Sequence, residues 1–281
     1  MKKILFTISL ILVLIQPVYA LGCFNNDKRA VKNLLESQVK YANKANFNKF
    51  ISTYDSSYKN GDGFNLDVYS ELVKDIWSSY DKIKYGILIK NIKIDGATAI
   101  ADLIETSHAN LLLPESSFAG ELKSVSDSRY YLRKFNGKWK VVSDEVLDET
   151  TSMFYGSAKD LDVKLTVPQS VEPNSEYTAT LEFVPPKNSV AIASISSDIV
   201  EYPQKPPKEV FRAMPEDNIL ERLFTSNNKN ANEYVVASIG ITKTDICDLS
   251  IKLSLTGFGY TLRRVNVIPE QKENNKNVES K

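Results

Sequence analysis

The period at which apolar residues recur changes once along this chain, and the change limits the folds open to it. Val31, Leu34, Leu35 and Val39, then Phe47, Phe50, Ile51 and Tyr54, then Leu66, Tyr69, Leu72, Val73, Ile76 and Tyr80 recur at helical spacing, in steps of three or four with an adjacent pair in each run. That spacing gathers side chains on one face of a helix. From Ile83 onward the spacing is that of strands. Helices first and strands afterwards point to an α+β domain followed by an all-β one.

Local signals divide the first domain. A polar break at Asn43 to Asn46 separates two amphipathic helices, Gly61-Asp62-Gly63 forms a turn, and Asn65 caps the third helix. Strands are predicted over Ile83–Ile94 and Thr98–His108 around Asp95-Gly96, a hairpin pair. After a looser stretch from Asn110 to Asp127, Ser128–Phe135 and Trp139–Glu145 make a second hairpin around Asn136-Gly137.

A small, polar link, Gly156 to Lys159, precedes the second domain. Strands are predicted at Val163–Val167, Tyr177–Val184, Val190–Tyr202, Ile219–Thr225, Tyr234–Thr242, Leu249–Leu255 and Tyr260–Ile268. Short strands between Pro, Asn and Ser turns imply a two-layer sandwich. Pro203 to Pro215 is long for a sandwich loop; it either carries function or stiffens the chain and protects an edge strand. The expected division is 1–22 signal peptide, 27–155 first domain, 162–268 second domain and 269–281 disordered tail.

The amino terminus has the layout of an export signal: Lys2 and Lys3, then a mostly apolar run from Ile4 to Ile15, too short for a permanent membrane span. Two fates compete. Val18-Tyr19-Ala20 favours a cut before Leu21, whereas Ala20-Leu21-Gly22-Cys23 resembles the lipobox of bacterial lipoproteins, in which Cys23 is acylated. Either fate implies an exported bacterial protein of the periplasm or cell envelope. Membrane contact is expected only through lipid on Cys23. The other thiol, Cys247, is either a small buried hydrophobe or the partner of Cys23 in a disulfide.

Composition removes several functions. The chain has 35 basic and 35 acidic residues among 281, so nothing draws it to nucleic acid. His108 is its one histidine, which excludes histidine-rich metal sites, and no phosphate loop, Cys-x-x-Cys or nucleophile elbow occurs. No cofactor and no metal are expected.

The helices followed by a meander ending in Phe135-Asn136-Gly137-Lys138-Trp139-Lys140-Val141 resemble the nuclear transport factor 2-like (SnoaL-like) superfamily. The resemblance implies a cone, helices packed in a curved antiparallel sheet, with Trp139, Val141 and Ser143 on its concave side. The second domain is similar to an immunoglobulin-like module, without its inter-sheet disulfide or buried tryptophan. The superfamily includes dehydratases and isomerases as well as binding domains, so fold alone names no reaction. The dehydratases' histidine pair cannot be built from one histidine. The isomerases' carboxylate base has two candidates, Asp102 and Glu105, on opposite faces of one strand.

Both acids, and His108, are expected at the surface, which leaves no catalytic group assigned. Tyr54, Trp77, Tyr85, Tyr131 and Trp139 are the pocket candidates, alongside the alternative that these aromatics are plain core. The reading preferred is a noncatalytic envelope protein binding a protein partner or a small apolar ligand. A carboxylate-dependent isomerase or lyase and a structural spacer are the alternatives.

Overall fold

The computed structural model describes residues 16–80, 82–113, 118–247 and 250–269, apart from the side chains of 16–25, 244–247, 250 and 251. Most of the signal segment, the thiols of Cys23 and Cys247 and all but the first residue of the 269–281 tail therefore lie outside the described residues. Contacts divide the chain into two units, Met1–His108 with Val125–Val146, and Ala109–Ser124 with Leu147–Lys281. This differs from the expected division at 155–162: residues of three strands are shared out between the units, and the link does not mark the boundary.

The first unit holds α1 (Gln16–Ala42), α2 (Phe47–Ile51), α3 (Leu66–Ser79) and the strand β1 (Lys84–Asp95), with parts of β2 (Thr98–Leu112), β3 (Ala119–Phe135) and β4 (Lys138–Gly156). Asn65 caps α3 as predicted, its Oδ1 accepting the Val68 N–H at 3.0 Å. The strands are adjacent in the order β1-β2-β3-β4, with β1 and β2 antiparallel. Asn136 and Gly137 both have positive φ, 47° and 79°, as a two-residue hairpin turn matched to strand twist requires. Val31 and Leu35 of α1, Phe50, Tyr58 and Val73 pack with Ala101, Leu103, Leu132, Trp139 and Val141 in one buried cluster. Trp139 and Val141 thus share the inward face, as alternation predicts.

Two expectations are corrected. The stretch from Asn110 to Asp127 is mostly strand, and β4 runs on to Gly156 instead of stopping at Glu145. Segments such as Ser124–Asp127 and Ser143–Ser152 place polar residues on both faces, so the period of two carries no hydrophobic signal. Their pairing comes from neighbouring strands.

In the second unit the outer part of β4 pairs antiparallel with β12 (Ser250–Val267), Thr150–Gly156 against Gly257–Arg263. The order continues through β11 (Glu233–Cys247), β8 (Ser189–Ile199) and the two-residue β9 (Arg212–Ala213). A second sheet holds β10 (Ile219–Thr225), β7 (Glu176–Glu182) and β5 (Lys164–Thr166), and β6 (Ser170–Val171) lies parallel to the end of β12. Leu165, Tyr177, Ala179 and Leu181 from the small sheet share a buried cluster with Ala193, Ile195, Val235, Ala237, Ile239 and Ile241 from the large one.

The two strands predicted at Leu249–Leu255 and Tyr260–Ile268 are one, β12. Its glycines read as a break but serve close approach: a Cβ on Gly257 would sit 2.4 Å from the Ala158 nitrogen, and one on Gly259 2.1 Å from the Met153 carbonyl oxygen. The link is also not bare, since Ala158 is fully buried in the second core. Pro203 to Pro215 shields an edge: β9 covers β8 at Ile192 and Ala193, and the Val210 N–H donates to Ser194 Oγ at 2.8 Å.

Glu233, buried at the start of β11, ties this core to the turn before it. Its Oε1 accepts the Asn227 backbone N–H and Nδ2–H, both at 2.7 Å. Its Oε2 accepts the Tyr177 hydroxyl at 2.7 Å and the Ser197 hydroxyl at 3.1 Å.

Candidate functional site

Inside the first unit the helices and strands do not fill the space between them. A cavity of about 180 Å³ is bounded by Leu35, Gln38 and Ala42 of α1, Phe50 of α2, Tyr69, Val73 and Trp77 of α3, Tyr85 to Ile87 of β1, Glu105 and Thr106 of β2, Tyr130 of β3, and Tyr54. Leu35 in its wall is fully buried.

Glu105 reaches the cavity because the odd-numbered residues of β2 face inward: Ala99, Ala101 and Leu103 are buried, and Glu105 follows them. The Tyr130 hydroxyl donates to Glu105 Oε1 at 3.0 Å. This corrects the expectation of a surface acid. Alternation places Glu105 and Asp102 on opposite faces, but which face is inward is decided by where the helices pack. Asp102 points the other way and pairs with Arg129 Nε at 2.7 Å. His108, opposite Lys84 in the β1–β2 register, is also on an even position and does not line the cavity.

Of the pocket candidates, Tyr54, Trp77 and Tyr85 line the cavity and Tyr131 and Trp139 do not. Tyr131 lies on the outer face and donates to Glu145 Oε1 at 2.7 Å. Trp139 is buried in the core, its Nε1–H donating to Asp27 Oδ1 at 3.2 Å. Tyr69, Gln38 and Thr106 were not singled out by the sequence. Gln38 had a signal: it falls in the stripe Val31, Leu35, Gln38, Ala42, a polar residue on an apolar helix face.

The wall is internally bonded. The Trp77 Nε1–H donates to the Tyr85 hydroxyl at 3.1 Å, the Gln38 amide to Thr53 Oγ1 at 2.9 Å, and the hydroxyls of Tyr54 and Tyr69 lie 3.2 Å apart. Behind them Tyr58 donates a short hydrogen bond to Asp144. Burial holds the Tyr130 phenol well above its ordinary range, and the negative charges of Glu105 and Asp144 add to the effect. Burial and Asp144 act likewise on Tyr69, and burial raises Tyr54 and Tyr85. The tyrosines are therefore neutral hydroxyls at any physiological pH.

Among the described residues no group of histidine, cysteine and acidic side chains could hold a metal ion, and no helix is long and apolar enough to cross a membrane.

No protein-family model and no curated protein matches this chain. Its backbone is similar to solved structures at low identity. Bd1075 of Bdellovibrio bacteriovorus is 16% identical over 42% of this chain and 39% of that one, with a TM-score of 0.35, so the chain spans well under half the length of that protein. A candidate dehydratase of the NTF2-like family from Streptomyces avermitilis is 13% identical over 43% and 96%, with a TM-score of 0.36. A hexachlorocyclohexane dehydrochlorinase, LinA-type3, from Novosphingobium barchaimii is 15% identical over 43% and 85%, with a TM-score of 0.34.

Proposed function

We propose that the first unit is a nuclear transport factor 2-like cone that binds a small, largely apolar molecule without transforming it. The single observation behind this reading is the cavity itself, about 180 Å³ of space among aromatic rings with one carboxyl group in its wall. An apolar cavity of about 150 Å³ holds benzene, so the ligand is one ring, or an equivalent alkyl group, with a short polar substituent. Chemistry is disfavoured because general acid–base turnover needs paired groups with pKa values near the working pH. Among the described lining residues Glu105 is the one carboxyl group, and burial pushes the tyrosines upward. In the same proposal the second unit is an immunoglobulin-like sandwich, and the protein is exported to the bacterial envelope, free or held by lipid on Cys23.

Ligand-observed NMR with benzyl alcohol and indole tests the binding reading. Wild-type protein should bind, and Ala42→Phe, which fills the cavity, should not. Absence of binding by wild type would sink it. Intact mass of protein from the native envelope tests export: a mature chain starting at Met1 contradicts it, and a start at Leu21 or an acylated Cys23 supports one fate or the other.

A second reading, a single-base isomerase or lyase, has one observation in its favour, the Glu105–Tyr130 hydrogen bond beside an apolar space. Solvent deuterium appearing in a bound probe in wild type and not in Glu105→Gln would establish it.

A further inference from the structure

The second unit has a cavity of its own, on the face of the large sheet that points away from the core. Ile195 of β8 and Val235 and Ala237 of β11 turn into the core, so Ser196, Val236 and Ser238 turn to the opposite side. That side would meet solvent, yet Ser196 and Ser238 are buried, because the segment from Gln204 to Glu209 closes over them. About 270 Å³ of space is left between, with Tyr260 and Leu262 of β12 also in its floor and Pro207 in its roof. The roof is fixed in place. The Gln204 side chain donates to the Ile199 carbonyl at 3.1 Å and accepts the Glu201 N–H at 3.2 Å, while the Val210 N–H is held by Ser194 Oγ. Pro206 and Pro207 stiffen the chain between these ties.

One polar group in this space is left over. Ser238 is 8% exposed, and among the described residues its hydroxyl has no hydrogen-bond partner. The neighbouring Ser196 hydroxyl reaches the Val236 carbonyl at 3.5 Å, the outer limit of a hydrogen bond. A buried hydroxyl left unbonded costs free energy, and folded proteins rarely keep one without use. It calls for a polar ligand. Charge narrows the choice, since an anion entering here meets Asp198 and Glu209, and a cation meets Lys205, whose ammonium Glu201 already holds at 2.6 Å. The remaining wall is apolar or aromatic: Val236, Leu262, Pro207, Tyr234 and Tyr260.

We infer that this cavity is a second ligand site, independent of the one in the first unit, and that it takes one neutral sugar ring. A sugar hydroxyl both donates and accepts, as the serine hydroxyls do, and the C–H face of the ring packs on tyrosine and leucine. An apolar cavity of about 150 Å³ holds benzene, so the space here admits a six-membered ring with its hydroxyl substituents. The Pro203 to Pro215 segment then both shields the β8 edge and roofs the site.

The test compares ring against hydroxyls. Amide resonances of the full chain are followed as methyl β-glucoside, methyl β-cellobioside or cyclohexanol is added, the last a six-membered ring with a single hydroxyl. The glucoside should shift the resonances of Ser196, Ser238 and Tyr260 saturably, and cyclohexanol should bind at least about fivefold more weakly, the scale of a lost hydrogen bond. Ser238→Ala should weaken glucoside binding about fivefold while leaving the thermal midpoint unchanged or higher, because the hydroxyl loses no partner in the free protein. Ser238→Leu fills the cavity and should end binding; if it does not fold, Ser238→Ala decides. Tighter binding of the cellobioside assigns the end of a glycan chain, equal or weaker binding a free sugar, and either supports the sugar reading. Cyclohexanol binding as tightly as the glucoside, glucoside affinity unaffected by substitution at Ser238, or a lower midpoint in Ser238→Ala overturns the inference. Failure of both glycosides to bind overturns it as well and leaves the Ser238 hydroxyl to ordered water.

Discussion

Replacing Glu233 separates hydrogen-bond geometry from mere bulk in the second unit. Its two oxygens face different partners. Oε1 meets two N–H groups of Asn227, which can only donate, whereas Oε2 meets the hydroxyls of Tyr177 and Ser197, which can also accept. Those hydroxyls lie 2.9 Å apart and can bond each other. Asn227 in turn closes the following turn, accepting from the Lys229 and Ala231 N–H groups and donating to the Ala231 carbonyl. Glu233→Ala leaves a buried backbone donor without its acceptor and loosens that turn, at about 1–3 kcal/mol for the donor and about 3–5 kcal/mol in all. Glu233→Gln keeps a carbonyl toward Asn227 and turns its amide toward hydroxyls able to receive it, so it costs about 1–2 kcal/mol. Urea unfolding followed by circular dichroism, with midpoints and slopes compared, measures both. A loss below about 1 kcal/mol for the alanine variant, or equal losses for the two, refutes the reasoning.

Tyr58→Phe removes the donor to Asp144 in the first core and should lower stability by about 1–2 kcal/mol in the same assay; an unchanged midpoint would show that Asp144 does not need it. Alkaline titration should show the buried tyrosines ionising late and together with unfolding. Their folded pKa values lie above the ordinary 10.0, so the stabilisation is complete below that value and is lost as pH rises toward the folded values. Tyrosinate absorbance growing smoothly from the ordinary pKa without loss of structure would contradict this. Asp27 is held below the usual carboxylate range by its hydrogen bond to Lys134, with Trp139 assisting, so acid stability should fall with pH below the ordinary 3.8 and Asp27→Asn should flatten that limb; identical acid limbs in variant and wild type would refute it. Gly259→Ala, at φ 155° and facing the Met153 carbonyl, should cost about 2–4 kcal/mol or prevent folding, read as a lower thermal midpoint.

Much of the architecture was legible because local physics sufficed. The stripe from Leu66 to Tyr80 with Asn65 before it specifies a capped amphipathic helix whatever surrounds it, and Asn136-Gly137 specifies a tight hairpin because its backbone must take positive φ twice. Alternation likewise put Asp102 and Glu105 on opposite faces, and Tyr130 and Tyr131 too. What alternation cannot supply is which face is inside. That was decided by α1 and α3 packing against the face of Ala101, Leu103 and Leu132, which turned Glu105 inward to Tyr130 and left Asp102 to Arg129. The full lengths of β3, β4 and β12 were equally a matter of partners. Polar strands and glycine-spaced segments acquire their extended backbone only when neighbouring strands satisfy their hydrogen bonds, and a pairing between residues a hundred positions apart, such as Met153 with Tyr260, leaves no periodic trace in either segment.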